Sequence, residues 1–222
     1  MRVVDLFSGL GGFSEAFVDR GHDVERYEFD ERFSEVPYTT IKNVLDLTPV
    51  DIDHADIILA SPPCNRFSLA AVSKTWPKGE PTEKTLEAIA LVRHAVYIIK
   101  EANPKYWLLE NPRGMIVRVL GRPSMVTWWG AWGTTYKKET YIYGELPPID
   151  RRMLHKYLKV KRGEKAGVQD PNLSPAERAL IPYDFSLAVC LAAEGNSAQT
   201  TLYDHIANPT DLQSDTSTKE VI

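Results

Sequence analysis

The 222-residue sequence predicts an α/β fold built on a doubly wound, mostly parallel sheet. Three observations carry this expectation. Short apolar runs alternate with helical stretches through the first 145 residues, as βαβ units around a parallel sheet require. A glycine cluster joins the first strand directly to the first helix. The chemically distinctive residues fall at the ends of apolar runs, where open α/β sheets bind their ligands.

The opening MRVVDLF reads as a strand that runs into SGLGG, and FSEAFVDRG as a short helix closed by Gly21. VERYEF is the second strand. DIILA, residues 56 to 60, is a buried strand stopped by Pro62 and Pro63, since proline removes a ladder donor and fixes φ. The clearest helix runs from Thr82 to Ala102, with a recurring stripe through Leu86, Ile89, Ala90, Val92 or Arg93, Val96, Tyr97 and Lys100, and Asn103-Pro104 ends it. YWLLEN is another buried strand, and VTWW and TYIY are the last two. Trp128, Trp129 and Trp132 read as sheet packing rather than base-stacking surface. Beyond Gly144 the chain becomes proline-punctuated and then basic. SPAER then starts a helix, with Ser174 as N-cap, Pro175 at the first helical position and Glu177 as capping-box partner. IPYDFSLAVCLAAEG is a final helix ending at Gly195, and the polar C-terminal stretch reads as a disordered tail. The expected organisation is a body over 1–145, a small basic segment over 146–173, helices returning to the body over 174–203 and a tail over 204–222.

Hydrophobic residues at 43% and charged residues at 25% are ordinary for a globular chain and exclude a disordered or fibrous one. No apolar run approaches the roughly 18 residues of a membrane helix, and no signal peptide is visible, so no membrane partner is expected. Two cysteines, Cys64 and Cys190, make no disulfide framework and point to a reducing intracellular compartment. The net charge of −4 taken alone weakens a case for nucleic acid. Residues 151 to 165, however, hold seven Lys or Arg against one Glu, a local +6 that leaves −10 on the remainder. The average hides an acidic body and one basic arm.

Asp5 to Phe13 reads DLFSGLGGF. Glycines there permit a tight turn with close backbone approach, so helix N-terminal amides can face an anionic ligand group. The spacing is neither a dinucleotide fingerprint nor a P-loop, and a plain β-to-α turn explains it equally well alone. Glu28 adds weight, because it stands where the second strand should end, the position that bonds ribose hydroxyls in doubly wound sheets. Phe29 beside it is placed to stack on an adenine. Together these residues predict an adenosine-containing cofactor.

Ser61 to Ser68 reads SPPCNRFS and sets Cys64 at the carboxyl end of a parallel strand, flanked by prolines and polar residues. A free thiol has a pKa near ~8.5, and Arg66 would raise its thiolate fraction. Cys190, in SLAVCLAAE, reads as an inert core cysteine. Glu110 ends the strand YWLLE, where partial desolvation would let it hold a proton near neutral pH, a candidate general acid.

DLFSGLGGF, SPPCNRFS and the tripeptide Glu110-Asn111-Pro112, in this order and spacing, resemble the motifs of the DNA (cytosine-5) methyltransferase family, in the compact form carried by phages and mobile elements. The resemblance covers roughly residues 1 to 145. It implies the Rossmann-like fold of S-adenosylmethionine-dependent methyltransferases with a very small basic target-recognition lobe, and S-adenosylmethionine as cofactor. It implies Phe7 against the adenine, Ser8, Gly9, Leu10, Gly11 and Gly12 around the methionine part, Glu28 on the ribose, Phe29 on the adenine, Asp46 and Leu47 at the adenine edge, and Pro62 beside them. It implies Cys64 as nucleophile on carbon 6 of a flipped-out cytosine, Glu110 at N3, and Lys138 as a third catalytic residue. The implied partner is double-stranded DNA, met by Asn65, Arg66 and Ser68 and by Arg151, Arg152, Lys156, Lys159, Lys161 and Arg162 of the arm. No metal is implied, a monomer is expected, and the setting is the cytoplasm of a prokaryote or a virus-infected cell, in restriction–modification or a phage role.

The sequence departs from the family in four places. Asn65 stands where Gln usually follows the cysteine. The Gln-x-Arg-x-Arg motif aligns with Tyr136, Lys138 and Thr140, so a single lysine remains. The late Gly-Asn motif aligns in place with RALIPY at 178 to 183 and in letters with GNS at 195 to 197. Only about thirty residues lie between Gly144 and Ser174, which predicts a short or relaxed recognition sequence. Two other readings stay open: the same scaffold acting on RNA or transferring another group from a modified sulfonium, and a catalytically silent DNA-binding module.

Overall fold

The computed structural model describes residues 1–134, 138–149 and 173–195. The basic arm of 151 to 165, the expected tail and Tyr136 lie outside the described residues. In chain order the elements are β1 (Arg2–Leu6), α1 (Glu15–Asp19), β2 (Asp23–Glu28), β3 (Thr39–Ile41), α2 (Pro49–Ile52), β4 (Ile57–Ala60), α3 (Val72–Thr75), α4 (Glu83–Ala102), β5 (Tyr106–Pro112), α5 (Val117–Leu120), β6 (Met125–Trp128), β7 (Glu139–Glu145), α6 (Pro175–Ala179) and α7 (Tyr183–Ala193).

One seven-stranded sheet has the order β3-β2-β1-β4-β5-β7-β6. The first five strands in that order run parallel, and β7 is antiparallel to both β5 and β6. The order reverses between β1 and β4, so a crevice opens at their carboxyl ends. These two strands are the most fully buried. Every residue of β4 is buried, as are Val3, Val4, Asp5 and Leu6 of β1, because helices cover both sheet faces.

One face carries α1, α7 and the tryptophan turn after β6. Trp129 and Trp132 are buried against Phe185 of α7, at ring separations of 5.3 and 5.1 Å, as core packing. Ser186 ties α7 to the first βα turn, donating to the Phe13 carbonyl at 2.7 Å and accepting from the Ala16 amide at 3.2 Å. The other face carries α2 and α4. Helix α4 begins one residue after Thr82 and ends at Asn103 in the left-handed conformation.

The structure corrects two expectations. The buried stripe of α4 runs through Thr85, Ile89, Val92, Ala95, Ile98, Ile99 and Ala102, which keeps Ile89 and Val92 of the expected stripe, whereas Leu86 and Tyr97 face solvent at 53% and 55% exposure and Ala90 and Lys100 are exposed as well. Apolar residues on the flank of a helix satisfy the same periodicity as those on its inner face. The short strand β3 was not expected, since its three residues are half-exposed or exposed and pair only with the carboxyl end of β2.

Candidate active site

The first βα turn rests on a buried polar network. Asp5 is fully buried, and Ser14 Oγ donates to its Oδ2 at 2.7 Å. Arg26, from β2, is 1% exposed and donates to Ser14 Oγ at 2.8 Å, to the Gly11 carbonyl at 3.0 Å and to the Glu15 carboxylate at 2.7 Å. Gly11 has φ +79, and a Cβ there would sit 2.4 Å from Arg26 Cζ, so the turn needs glycine on both counts. Burial pushes the Asp5 carboxyl up to about 7, against the Ser14 hydroxyl and the Arg26 charge.

Above this network a cleft of about 470 Å³ opens between the ends of β1, β2 and β4. Phe7, Ser8, Gly9, Leu10, Gly12, Glu28 and Phe29 line it, as does Pro63. Phe7 holds a left-handed φ of 59, and Phe29 is 69% exposed at the rim. The Glu28 carboxylate accepts from the amides of Gly9 at 2.9 Å, Phe29 at 2.7 Å and Asp30 at 3.0 Å, which fixes it at the mouth with one lone pair of Oε2 to spare.

Four residues expected at the cofactor are not on the cleft wall. Gly11 packs on Arg26 beneath it. Asp46 is exposed, and Leu47 is 1% exposed within the core. Their one-turn neighbours Asn43, Val44 and Leu45 line the cleft instead, because the 3-10 turn at Val44–Asp46 rotates them inward. Pro62 is buried, with its carbonyl turned to Asn111. The far wall is formed by Ala176, Ala179, Leu180 and Ile181. Ala179, Leu180 and Ile181 belong to the RALIPY segment, while Asn196 and Ser197 of the other alignment lie outside the described residues. Ser8 Oγ and Ser61 Oγ are buried without a hydrogen-bond partner at this cleft. With the backbone of Gly9, Leu10 and Gly12 and the Glu28 carboxylate, they fit an amino-acid end and a ribose end of a nucleoside cofactor.

Beside the cleft, the loops after β4 and β5 bring the predicted chemistry together. Asn111 Nδ2 donates to the Pro62 carbonyl at 3.0 Å, and the Met115 amide to the Phe67 carbonyl at 2.7 Å. Gly114 bridges to Ser68. Trp76 Nε1 donates to the Arg66 carbonyl at 2.9 Å, closing the Cys64 loop from its other side. Cys64 is half-buried, while Asn65 is exposed and Arg66 and Ser68 are half-buried.

Burial pushes the Cys64 thiol up; Lys138 pulls it down and Glu110 pushes it further up. The cation bearing on the thiol is therefore Lys138, ahead of β7, in place of the sequence neighbour Arg66. Glu110 is 4% exposed, and burial raises its carboxyl against the Lys138 charge and a hydrogen bond from Thr140. Lys138 Nζ also reaches the Arg178 carbonyl at 3.5 Å, at the end of α6. Thr140 Oγ1 donates to Glu110 Oε1, a contact the sequence reading missed because it treats position 140 only as a lost arginine. Arg151, Arg152, Lys156, Lys159, Lys161 and Arg162 lie outside the described residues.

A mostly parallel sheet thus carries a switch-point cleft, a strand-end thiol and a buried strand-end carboxyl side by side, the layout of a Rossmann-like fold. The chain belongs to the C-5 cytosine-specific DNA methylase family, whose model matches residues 1–122. It is 31% identical over 130 residues to the type II methyltransferase M.NgoBI of Neisseria gonorrhoeae, covering 54% of this chain and 38% of that protein. It is 31% identical over 124 residues to a probable DNA (cytosine-5)-methyltransferase of Frog virus 3, covering 50% of this chain and 54% of that one. Among solved structures, a putative DNA modification methyltransferase encoded within an Escherichia coli prophage aligns at 20% identity and a TM-score of 0.46, covering 65% of this chain and 46% of that one. The chain spans between about a quarter and about half of the curated relatives it matches. Among the described residues no helix is long and apolar enough to cross a membrane.

Proposed function

We propose that this chain transfers a methyl group from S-adenosylmethionine to carbon 5 of a cytosine in double-stranded DNA. The observation that carries the reading is the tie of Asn111 to the Pro62 carbonyl, which joins the strand end of Glu110 to the loop of Cys64 beside a cleft with two orphan hydroxyls. Ser8, the backbone of Gly9, Leu10 and Gly12, Ser61, Glu28 and Phe29 would hold the cofactor. When bound, S-adenosylmethionine supplies an electrophilic methyl group.

Carbon 5 of cytosine is a poor nucleophile. The Cys64 thiolate adds to carbon 6, the C5=C6 pair shifts to C4=C5, and the C4=N3 pair takes the proton that neutral Glu110 gives to N3, so carbon 5 becomes the nucleophilic end of an uncharged enamine. Lys138 favours the thiolate by its charge. As carbon 5 is alkylated the N3 proton returns to the Glu110 carboxylate, and loss of the carbon-5 proton with elimination of the sulfur then restores the ring and frees Cys64. The target base must leave the stack to meet both side chains.

The basic segment of 146–173 is the proposed DNA contact, with 174–203 returning to the body and 204–222 as a tail. Its shortness supports a short or relaxed recognition sequence, and the setting is intracellular. Incubation of DNA containing 5-fluorocytosine with cofactor tests the reading. The expected result is a covalent adduct with wild-type protein that Cys64→Ala abolishes. No adduct with wild type on duplex DNA overturns it, and an adduct on RNA alone moves the acceptor.

A further inference from the structure

We infer that Thr140 is a positioning residue for Glu110: its hydroxyl, donated to Oε1, leaves Oε2 as the oxygen that carries the proton toward the base. The inference rests on the proposed role of Glu110 as acid and goes beyond it.

Strands β5 and β7 pair antiparallel with Glu110 opposite Ile142 and Pro112 opposite Thr140. Thr140 is thus the diagonal neighbour of Glu110 on the same sheet face, within side-chain reach. Both are buried, at 0% and 4% exposure, so water does not compete for the carboxyl. Thr140 lies on a strand flanked on both sides, and its β-branched side chain is stiff at χ1. A neutral carboxyl has one proton and two oxygens, and the oxygen that accepts a hydroxyl hydrogen acts as the carbonyl oxygen. The proton then belongs to Oε2. A neutral donor at this position also holds the carboxyl without the charge an arginine would bring. The titratable groups bearing on Glu110 are Lys138 from the approach to β7 and Cys64 from the loop after β4.

The test compares wild type, Thr140→Val, Thr140→Ser and Thr140→Ala in methyl transfer and adduct formation across pH, with thermal melting of each. Valine keeps shape and loses the donor; serine keeps the donor. We expect Thr140→Val to lower kcat about tenfold or more with KM for DNA nearly unchanged, and Thr140→Ser to stay within about threefold of wild type. The hydroxyl favours the charged carboxylate, so the inflection that Glu110 sets in the pH–rate profile moves to higher pH in Thr140→Val and Thr140→Ala and stays in place in Thr140→Ser. Thr140→Val with wild-type kcat and pH profile overturns the inference, as does Thr140→Ser falling as far as valine. If Thr140→Val does not fold, Thr140→Ala against Thr140→Ser makes the same comparison. A wild-type protein that forms no adduct instead removes the role of Glu110 itself.

Discussion

The side-chain amide of Asn111 donates to the carbonyl of Pro62 at 3.0 Å, joining the strand end that carries Glu110 to the loop that carries Cys64. The same two loops meet again at Met115 and Phe67 and at the bridge between Ser68 and Gly114. The thiol and the carboxyl are therefore placed by one clamped unit rather than by two independent loops, which is how a site holds reacting groups in a fixed geometry.

That clamp predicts the effect of Gly114→Ala. A Cβ at Gly114 would lie 2.0 Å from the Phe67 carbonyl oxygen, a backbone atom that cannot swing aside. The Cys64 loop must shift, at a cost of about 1–3 kcal/mol of stability. Thermal melting should show the loss, and the adduct rate at a temperature where the variant is folded should fall. An unchanged melting point together with an unchanged rate would contradict the clamp.

The two thiols should differ in reactivity. Cys190 is fully buried and its thiol is pushed up to about 12, first by burial and then by Glu194. Cys64 is half-buried with a cation bearing on it. Iodoacetamide at pH 8 should modify Cys64 alone, as read by peptide mass spectrometry. In Lys138→Met the thiol pKa rises, the thiolate fraction at pH 8 falls, and alkylation of Cys64 slows several-fold. Equal or faster alkylation would show that Lys138 does not act on the thiol.

Cofactor affinity should separate Glu28 from Asp46. Glu28 stands at the cleft mouth with three backbone amides on its carboxylate, whereas Asp46 is exposed and off the wall. Titration calorimetry with S-adenosylhomocysteine should show a loss of about tenfold or more for Glu28→Gln and less than about twofold for Asp46→Ala. A larger loss at Asp46 would return that residue to the site.

Asp5 makes stability depend on pH. Its folded-state pKa of about 7 lies above the ordinary 3.8, so its contribution is complete below that ordinary value and is lost as pH rises through 7. Asp5→Asn removes this dependence. The melting temperature of the variant, measured relative to wild type, should rise between pH 5 and pH 8, and a relative fall over that interval would refute the assignment.

The sequence by itself determined the chemical inventory and its order along the chain: a glycine turn after β1, an acid ending β2, a thiol after β4 and a carboxyl ending β5. These are local properties, readable because an apolar run followed by glycine or proline marks a strand end wherever that strand lies. It also determined the capped start of α6, where the Ser174 hydroxyl and Glu177 satisfy each other's backbone amides. Only the tertiary structure decided who faces whom. Strand β7 enters the sheet antiparallel between β5 and β6, and that pairing alone brings Thr140 to Glu110, while the residue just ahead of the strand, Lys138, comes to bear on Cys64. A rotation of one 3-10 turn decided that Asn43 to Leu45 line the cleft while Asp46 and Leu47 turn away. Periodicity states which face a residue occupies, but partners across strands are joined by long-range pairing, whose free energy depends on the whole sheet and not on the neighbours in sequence.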